Sequence, residues 1–132
     1  MIPYGKQSIS SEDIDAVSKA LQDEYLTQGP RVSEFEERLA AYLGVKATVV
    51  VNSATSALHI ACLALEVGPG DLVWTSAISF VASANAARYC GADVDFVDIE
   101  PTTFNISAQA LSEKLALAAS LGQKLPKVVI PV

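Results

Sequence analysis

A chain of 132 residues with 51% hydrophobic and 18% charged side chains has the apolar material for a core. It carries too little charge for a disordered segment or a long coiled coil. Nine lysines and arginines face 15 aspartates and glutamates, a net charge of -6, and no dense basic patch is written in the sequence, so no nucleic acid partner is expected. The most apolar stretches, 47–51 and 128–132, fall far short of the roughly 20 residues of a spanning helix, so no membrane partner is expected either.

The first predicted helix starts at Ser10 or Ser11, with Glu12 and Asp13 in the turn where the helix dipole favours acids. Ile14, Val17, Leu21 and Tyr25 continue it as an apolar stripe at spacings of three and four. Thr27-Gln28-Gly29-Pro30 breaks the pattern. A second helix follows, with Val32, Phe35, Leu39 and Tyr42 on one face and Gly44 as its stop. Residues 47–51, Ala-Thr-Val-Val-Val, are too short for a helix and rich in β-branched side chains, and they predict a strand buried on both faces.

From there strand and helix alternate. Asn52-Ser53-Ala54-Thr55-Ser56 leads into a helix ending near Glu66, and Gly68-Pro69-Gly70-Asp71 is a turn. Residues 72–75 form a strand, 79–89 a helix closed by Gly91, and 94–98 a strand. Residues 101–105 are a loop, Ser107 caps a helix to about Leu121, and 127–132 form a fourth strand. This order predicts an α/β fold: three layers, a mostly parallel sheet with helices on both faces. A chain stopping inside a core strand is expected to be part of a longer one, so 1–132 reads as an incomplete portion of a domain.

Cys62 and Cys90 lie in apolar runs, as buried free thiols do. No apolar leader opens the chain. The expected compartment is therefore the cytoplasm. The lone His59 has no Cys or His at metal-ligand spacing, so no metal is expected.

Ligands of open parallel sheets bind beyond the carboxyl ends of the strands, which selects the loops at 52–56, 76–80 and 98–104. In the first, small residues let an anion approach the backbone, and the first-turn N–H groups favour a phosphate; plain capping by Ser53 is the alternative. The glycine pattern of a dinucleotide site and the Gly-Lys-Ser/Thr of a P-loop are both missing. In the second loop Phe80 is either a stacking surface for a flat heterocycle or a core aromatic. In the third, Asp98 and Glu100 are either an acid–base pair or solvated loop carboxylates.

Taken together, these segments resemble the N-terminal part of fold-type I, pyridoxal-phosphate-dependent sugar aminotransferases of the DegT/StrS type. The resemblance rests on Pro3-Tyr4, Leu26-Thr27-Gln28-Gly29-Pro30, Phe35-Glu36 and Val51-Asn52-Ser53-Ala54-Thr55-Ser56-Ala57-Leu58-His59. It continues in Gly68-x-Gly70-Asp71, Ser79-Phe80-Val81-Ala82, Gly91-Ala92 and Phe96-Val97-Asp98-Ile99. It implies a pyridoxal 5'-phosphate cofactor gripped by Ala54 and Thr55 with Ser53 beside them, its ring stacked on Phe80. It places Tyr4, Tyr25, Leu26 and Thr27 near a nucleotide-sugar substrate. The implied reaction moves an amino group, from a donor such as glutamate, to a UDP-linked 4-keto-6-deoxy sugar for surface-glycan or sialic-acid-like sugar synthesis. The subgroup most resembled is that of the UDP-4-amino-4,6-dideoxy-N-acetyl-L-altrosamine transaminases. The resemblance implies a homodimer and puts the catalytic lysine beyond Val132, so no catalytic residue is expected among these 132 and the isolated chain is expected to be inactive. A dehydratase with His in place of that lysine, and a non-catalytic nucleotide-binding α/β domain, are the alternative readings.

Overall fold

The structure is a computed structural model that describes residues 5–23 and 25–132. The chain forms two compact units, one reaching to Val50 and the other running Val51–Val132.

In the first unit, helix α1 spans Ser11–Ala20. Ser10 and Asp13 form a reciprocal capping box: Asp13 N–H donates to Ser10 Oγ at 3.2 Å, and Ser10 N–H to Asp13 Oδ2 at 2.8 Å. These bonds hold the Asp13 carboxyl below the usual carboxylate range, the backbone N–H of Ser10 contributing most. Helix α2 spans Pro30–Leu43. Proline at its first position lacks the N–H that would have no intrahelical partner there. Gly44 at φ 66 closes the helix in the left-handed conformation that glycine adopts without a Cβ clash. Tyr25 does not prolong α1 as the stripe predicted; the helix has ended and Tyr25 stands in the connecting loop. The α2 stripe stays largely uncovered, Tyr42 most of all.

The predicted strand at 47–51 does not form. These residues join no sheet, and Val49 is 75% exposed. A strand needs a neighbour for its amides, and the side chain of Glu36 takes one instead. Val50 N–H donates to Glu36 Oε1 at 2.9 Å, and Thr48 Oγ1 donates to the Glu36 carbonyl at 2.7 Å.

The second unit holds the sheet. Its elements in order are α3 (Ala54–Ala64), β1 (Leu72–Ser76), α4 (Ala82–Tyr89), β2 (Asp93–Val97), α5 (Ala108–Ser120) and β3 (Val128–Ile130). The strands are parallel and ordered β2-β1-β3, so β1 is central. Register pairs Trp74 with Asp95 and with Val129. Alternation sends Val73, Val94, Val128 and Ile130 to one face, where Leu58 and Cys62 of α3 and Ala86 and Ala87 of α4 pack. It sends Leu72, Trp74, Val97 and Val129 to the other, under Ala110, Leu111, Leu115 and Ala118 of α5. Helices thus cover both faces, as the alternation predicts. The thiols divide: Cys62 is buried and Cys90 half-buried.

Two elements are shorter than the sequence predicts. Helix α4 begins at Ala82 because residues 77–81 make the turn out of β1. β3 stops at Ile130 because Pro131 has no N–H for the ladder. Pairing continues through a side chain: Ser76 Oγ donates to the Val132 carbonyl and accepts from Val132 N–H, both at 3.0 Å. Thr75 Oγ1 donates to the Ile130 carbonyl at 2.9 Å.

Asp71 ties down the opposite edge of the sheet. Lys127 Nζ donates to it at 3.0 Å, and it accepts the Gly68 N–H at 3.0 Å. The Lys127 bond, then the Gly68 bond, holds its carboxyl below the usual range. A depressed pKa stabilises the fold above the ordinary carboxylate value of about 4 and loses that contribution as pH falls through the lower folded value. In the full-length protein, Asp71→Asn is expected to lower the denaturant midpoint at pH 7 and to flatten its fall on the acid side. Midpoints measured between neutral and strongly acidic pH check this; parallel curves for both proteins would refute it.

Trp74 is 2% exposed and spans the α5 face at the centre of the sheet. Trp74→Ala is expected to cost about 3–5 kcal/mol, the range for removing a buried aromatic. Denaturation of the full-length protein followed by far-UV circular dichroism checks it.

Candidate functional site

Helix α3 connects to β1 through the short turn at 68–71 and packs along the sheet, so it runs back against the strands. Its N-terminus therefore lies toward their carboxyl ends, the edge where the 77–81 and 98–106 loops also emerge.

The turn into α3 assigns most of its hydroxyl protons internally. Ser53 is the N-cap and accepts from Ser56 N–H at 3.2 Å. Ser56 Oγ donates to Asn52 Oδ1 at 2.7 Å. With that proton committed, the 3.1 Å contact between the Ser53 and Ser56 hydroxyls must be donated by Ser53. Ser53 is thus spent on shaping the turn. What remains are the N–H groups of Ala54 and Thr55 and the Thr55 hydroxyl, none of which meets an acceptor among the described residues. The first turn of α3 carries no acid. Two open amides, one hydroxyl and the positive end of an 11-residue helix suit a phosphate or a carboxylate. Asn52 and Ser56 were legible in sequence as a polar cluster, but their role as the turn's internal brace follows only from geometry.

Phe80 stands in the turn between β1 and α4 and is 74% exposed. The core reading of Phe80 is therefore corrected: the core beneath is filled by Ala82, Ala86 and Ala87, which let α4 sit close to the sheet and leave Phe80 outside. The turn is held by Ser83 N–H on the Phe80 carbonyl at 3.1 Å and Ser79 Oγ on the Ser76 carbonyl at 3.3 Å. An uncovered ring on a braced turn can stack on a flat ligand.

The third loop is a structural device. Glu100 Oε2 accepts Thr102 N–H at 3.0 Å, the Thr102 hydroxyl, and Thr103 N–H at 2.8 Å. The Thr102 hydroxyl is the main reason its carboxyl sits below the usual range. Asp98 Oδ1 accepts Ile99 N–H at 2.8 Å. Both carboxylates are engaged with their own loop backbone, and the acid–base reading is dropped.

Of the residues expected near a substrate, Tyr4 lies outside the described residues. Tyr25, Leu26 and Thr27 belong to the first unit and are exposed in the turn between α1 and α2. Among the described residues no group of His, Cys, Asp and Glu could hold a metal, and no helix is long and apolar enough to cross a membrane.

A parallel sheet clad on both faces makes this an α/β domain, and its acid-free helix N-terminus and exposed aromatic lie at the carboxyl edge, where sheets of this kind hold their ligands. A family model narrows this: the chain belongs to the DegT/DnrJ/EryC1/StrS aminotransferase family, whose model matches residues 7–132. Aminotransferases of this family depend on pyridoxal phosphate, and solved relatives include PLP and PMP forms. A UDP-4-amino-4,6-dideoxy-N-acetyl-beta-L-altrosamine transaminase of Campylobacter jejuni is 50% identical over 115 residues, 87% of this chain and 30% of that protein. Helicobacter pylori PseC, an aminotransferase involved in pseudoaminic acid biosynthesis, superposes with a TM-score of 0.84 at 34% identity, over 98% of this chain and 33% of that one. A DegT DnrJ EryC1 StrS aminotransferase from Brucella abortus gives 0.78 at 33% identity, over 89% and 32%. The chain thus spans about 30% of the length of that curated Campylobacter relative.

Because Ser53 caps α3, Ser53→Ala in the full-length protein is expected to destabilise it by about 1 kcal/mol. Ser53→Asp, which restores a capping acceptor, is expected to recover stability while repelling an anion. Denaturant midpoints with and without 10-fold excess pyridoxal phosphate over its Kd separate the two effects.

Proposed function

We propose that the full-length protein is a pyridoxal-phosphate-dependent transaminase that passes an amino group, from a donor such as glutamate, to a UDP-linked 4-keto-6-deoxy sugar. The product would serve surface-glycan or sialic-acid-like sugar synthesis. The observation that carries the reading is the 50% identity to the Campylobacter altrosamine transaminase, which runs through 87% of this chain. On this reading residues 1–132 are the N-terminal portion of the large domain, and the protein acts as a homodimer. Two cysteines carried as free thiols support a cytoplasmic setting.

The turn into α3 fits the cofactor's phosphate. The N–H groups of Ala54 and Thr55 and the Thr55 hydroxyl would hold it, and Ser53, from its capping position, would keep those donors aimed. Phe80 would lie against the ring, with its own exposed face as the surface offered. Bound pyridoxal phosphate supplies the electron-withdrawing ring through which an amino group changes hands. Tyr25, Leu26 and Thr27, together with Tyr4, would meet the nucleotide-sugar. The contribution of these residues is binding and orientation; proton transfer is left to groups outside this chain.

The test is cofactor affinity in the full-length protein. Thr55→Val removes a hydroxyl that donates to a charged acceptor, worth about 1–3 kcal/mol, so Kd for pyridoxal phosphate should rise roughly 5- to 150-fold. Thr55→Ser should stay near wild type. Phe80→Ala should weaken binding by about 0.5–1.5 kcal/mol, a several-fold rise. Unchanged Kd in Thr55→Val would return that residue to helix capping. Unchanged Kd in Phe80→Ala would remove the ring contact.

A further inference from the structure

The turn carrying Tyr25, Leu26 and Thr27 is braced more firmly than an exposed connection requires. Arg31, in the first turn of α2, reaches back across it to Asp23 in a fork: Nε to Oδ2 at 2.7 Å and Nη2 to Oδ1 at 3.1 Å. Its third arm, Nη1, donates to Glu34 Oε2 at 3.1 Å, and Glu34 Oε1 accepts from Arg38 at 2.6 Å. An isolated surface pair contributes little, but a bidentate pair inside a charged chain keeps its geometry. The fork joins Asp23, before the turn, to Arg31 in the first turn of α2, after it.

Two backbone features belong to the same brace. Gly29 lies beneath the Tyr25 carbonyl: a Cβ there would stand 1.9 Å from that oxygen and 3.0 Å from its carbon. Both are main-chain atoms, so nothing can swing aside. Gln28, at φ 55, holds the left-handed conformation that side chains seldom adopt. A strained residue persists where the surroundings over-determine it.

We propose that Asp23, Arg31 and Gly29 are positioning residues that preform the Tyr25–Thr27 turn for the nucleotide-sugar, so that the turn is ordered before the substrate arrives. The inference rests on the reading that Tyr25, Leu26 and Thr27 meet that substrate. Ordering a loop in advance removes a cost otherwise charged against binding, so its loss appears in KM and not in kcat. Lysine cannot replace Arg31, because an ammonium lacks the planar fork.

The experiment uses the full-length protein and a UDP-linked 4-keto-6-deoxy-N-acetylhexosamine with glutamate as donor. Arg31→Lys and Asp23→Asn are expected to raise KM for the sugar roughly three- to tenfold, with kcat within about twofold and Kd for pyridoxal phosphate unchanged. Asp23→Glu, which keeps the carboxylate, should return KM to near the wild-type value. Thr27→Val is the reference for direct contact. If Thr27→Val raises KM while Arg31→Lys and Asp23→Asn do not, the brace is refuted and the substrate reading stands. If none of the three moves KM, the substrate reading fails and takes the brace with it. A fall in kcat and thermal midpoint in step with the KM change would mark the fork as general stabilisation and overturn the proposal.

Discussion

The second unit depends on one constraint: β1 is the strand with a neighbour on each side, and both of its faces must be covered. Val73 and Trp74 answer to different helices, the first to α3 and α4, the second to α5. Once that strand is buried, its polar end needs partners inside the sheet, and Thr75 and Ser76 find them in the backbone of β3 and beyond. The side chains that hold β3 in register are the same ones that end at the carboxyl edge, directly before the turn carrying Phe80. Placement of the candidate site thus follows from how the central strand satisfies its hydrogen bonds.

Packing against the sheet also explains why the site lies outside the core. Helix α4 buries alanines and one serine, so it sits low on β1, and a ring as large as Phe80 has no room beneath it. The α3 turn is braced by its own side chains and keeps its outermost amides open. On the other face Trp74 fills the space with a large side chain, and Lys114 lies 4.7 Å over its ring while pairing with Asp95 at 2.6 Å. One face offers small residues and close helices, the other one bulky anchor.

Periodicity made the second unit legible. Short apolar runs bounded by turn residues marked β1, β2 and β3, and Gly91 and Ser107 marked the helix ends with the conformations they require. Phe80 and Thr55 were singled out by their place in loops after predicted strands, with core packing and helix capping as the competing uses, and it was the family resemblance that favoured a ligand. The strand at 47–51 misled for a physical reason: β propensity describes a surface that suits a neighbour, and it cannot supply the neighbour. The role of Ser56 was equally hidden, since which hydroxyl gives and which receives depends on distances of tenths of an ångström. The fork between Asp23 and Arg31 spans a helix end and a loop, where no periodic rule applies.

Glu36 gives the first unit a property that its apolar composition alone would deny it. Residues 47–50 have the make-up of a segment that recruits any free strand edge: rich in β-branched residues and uncharged, with Ala47 and Val49 exposed. By occupying the Val50 amide, the Glu36 carboxylate works as a gatekeeper. A stray chain seeking to add to this edge must first evict a charged acceptor, so casual pairing is penalised, whereas a fixed neighbour able to offer a full ladder can still win the exchange.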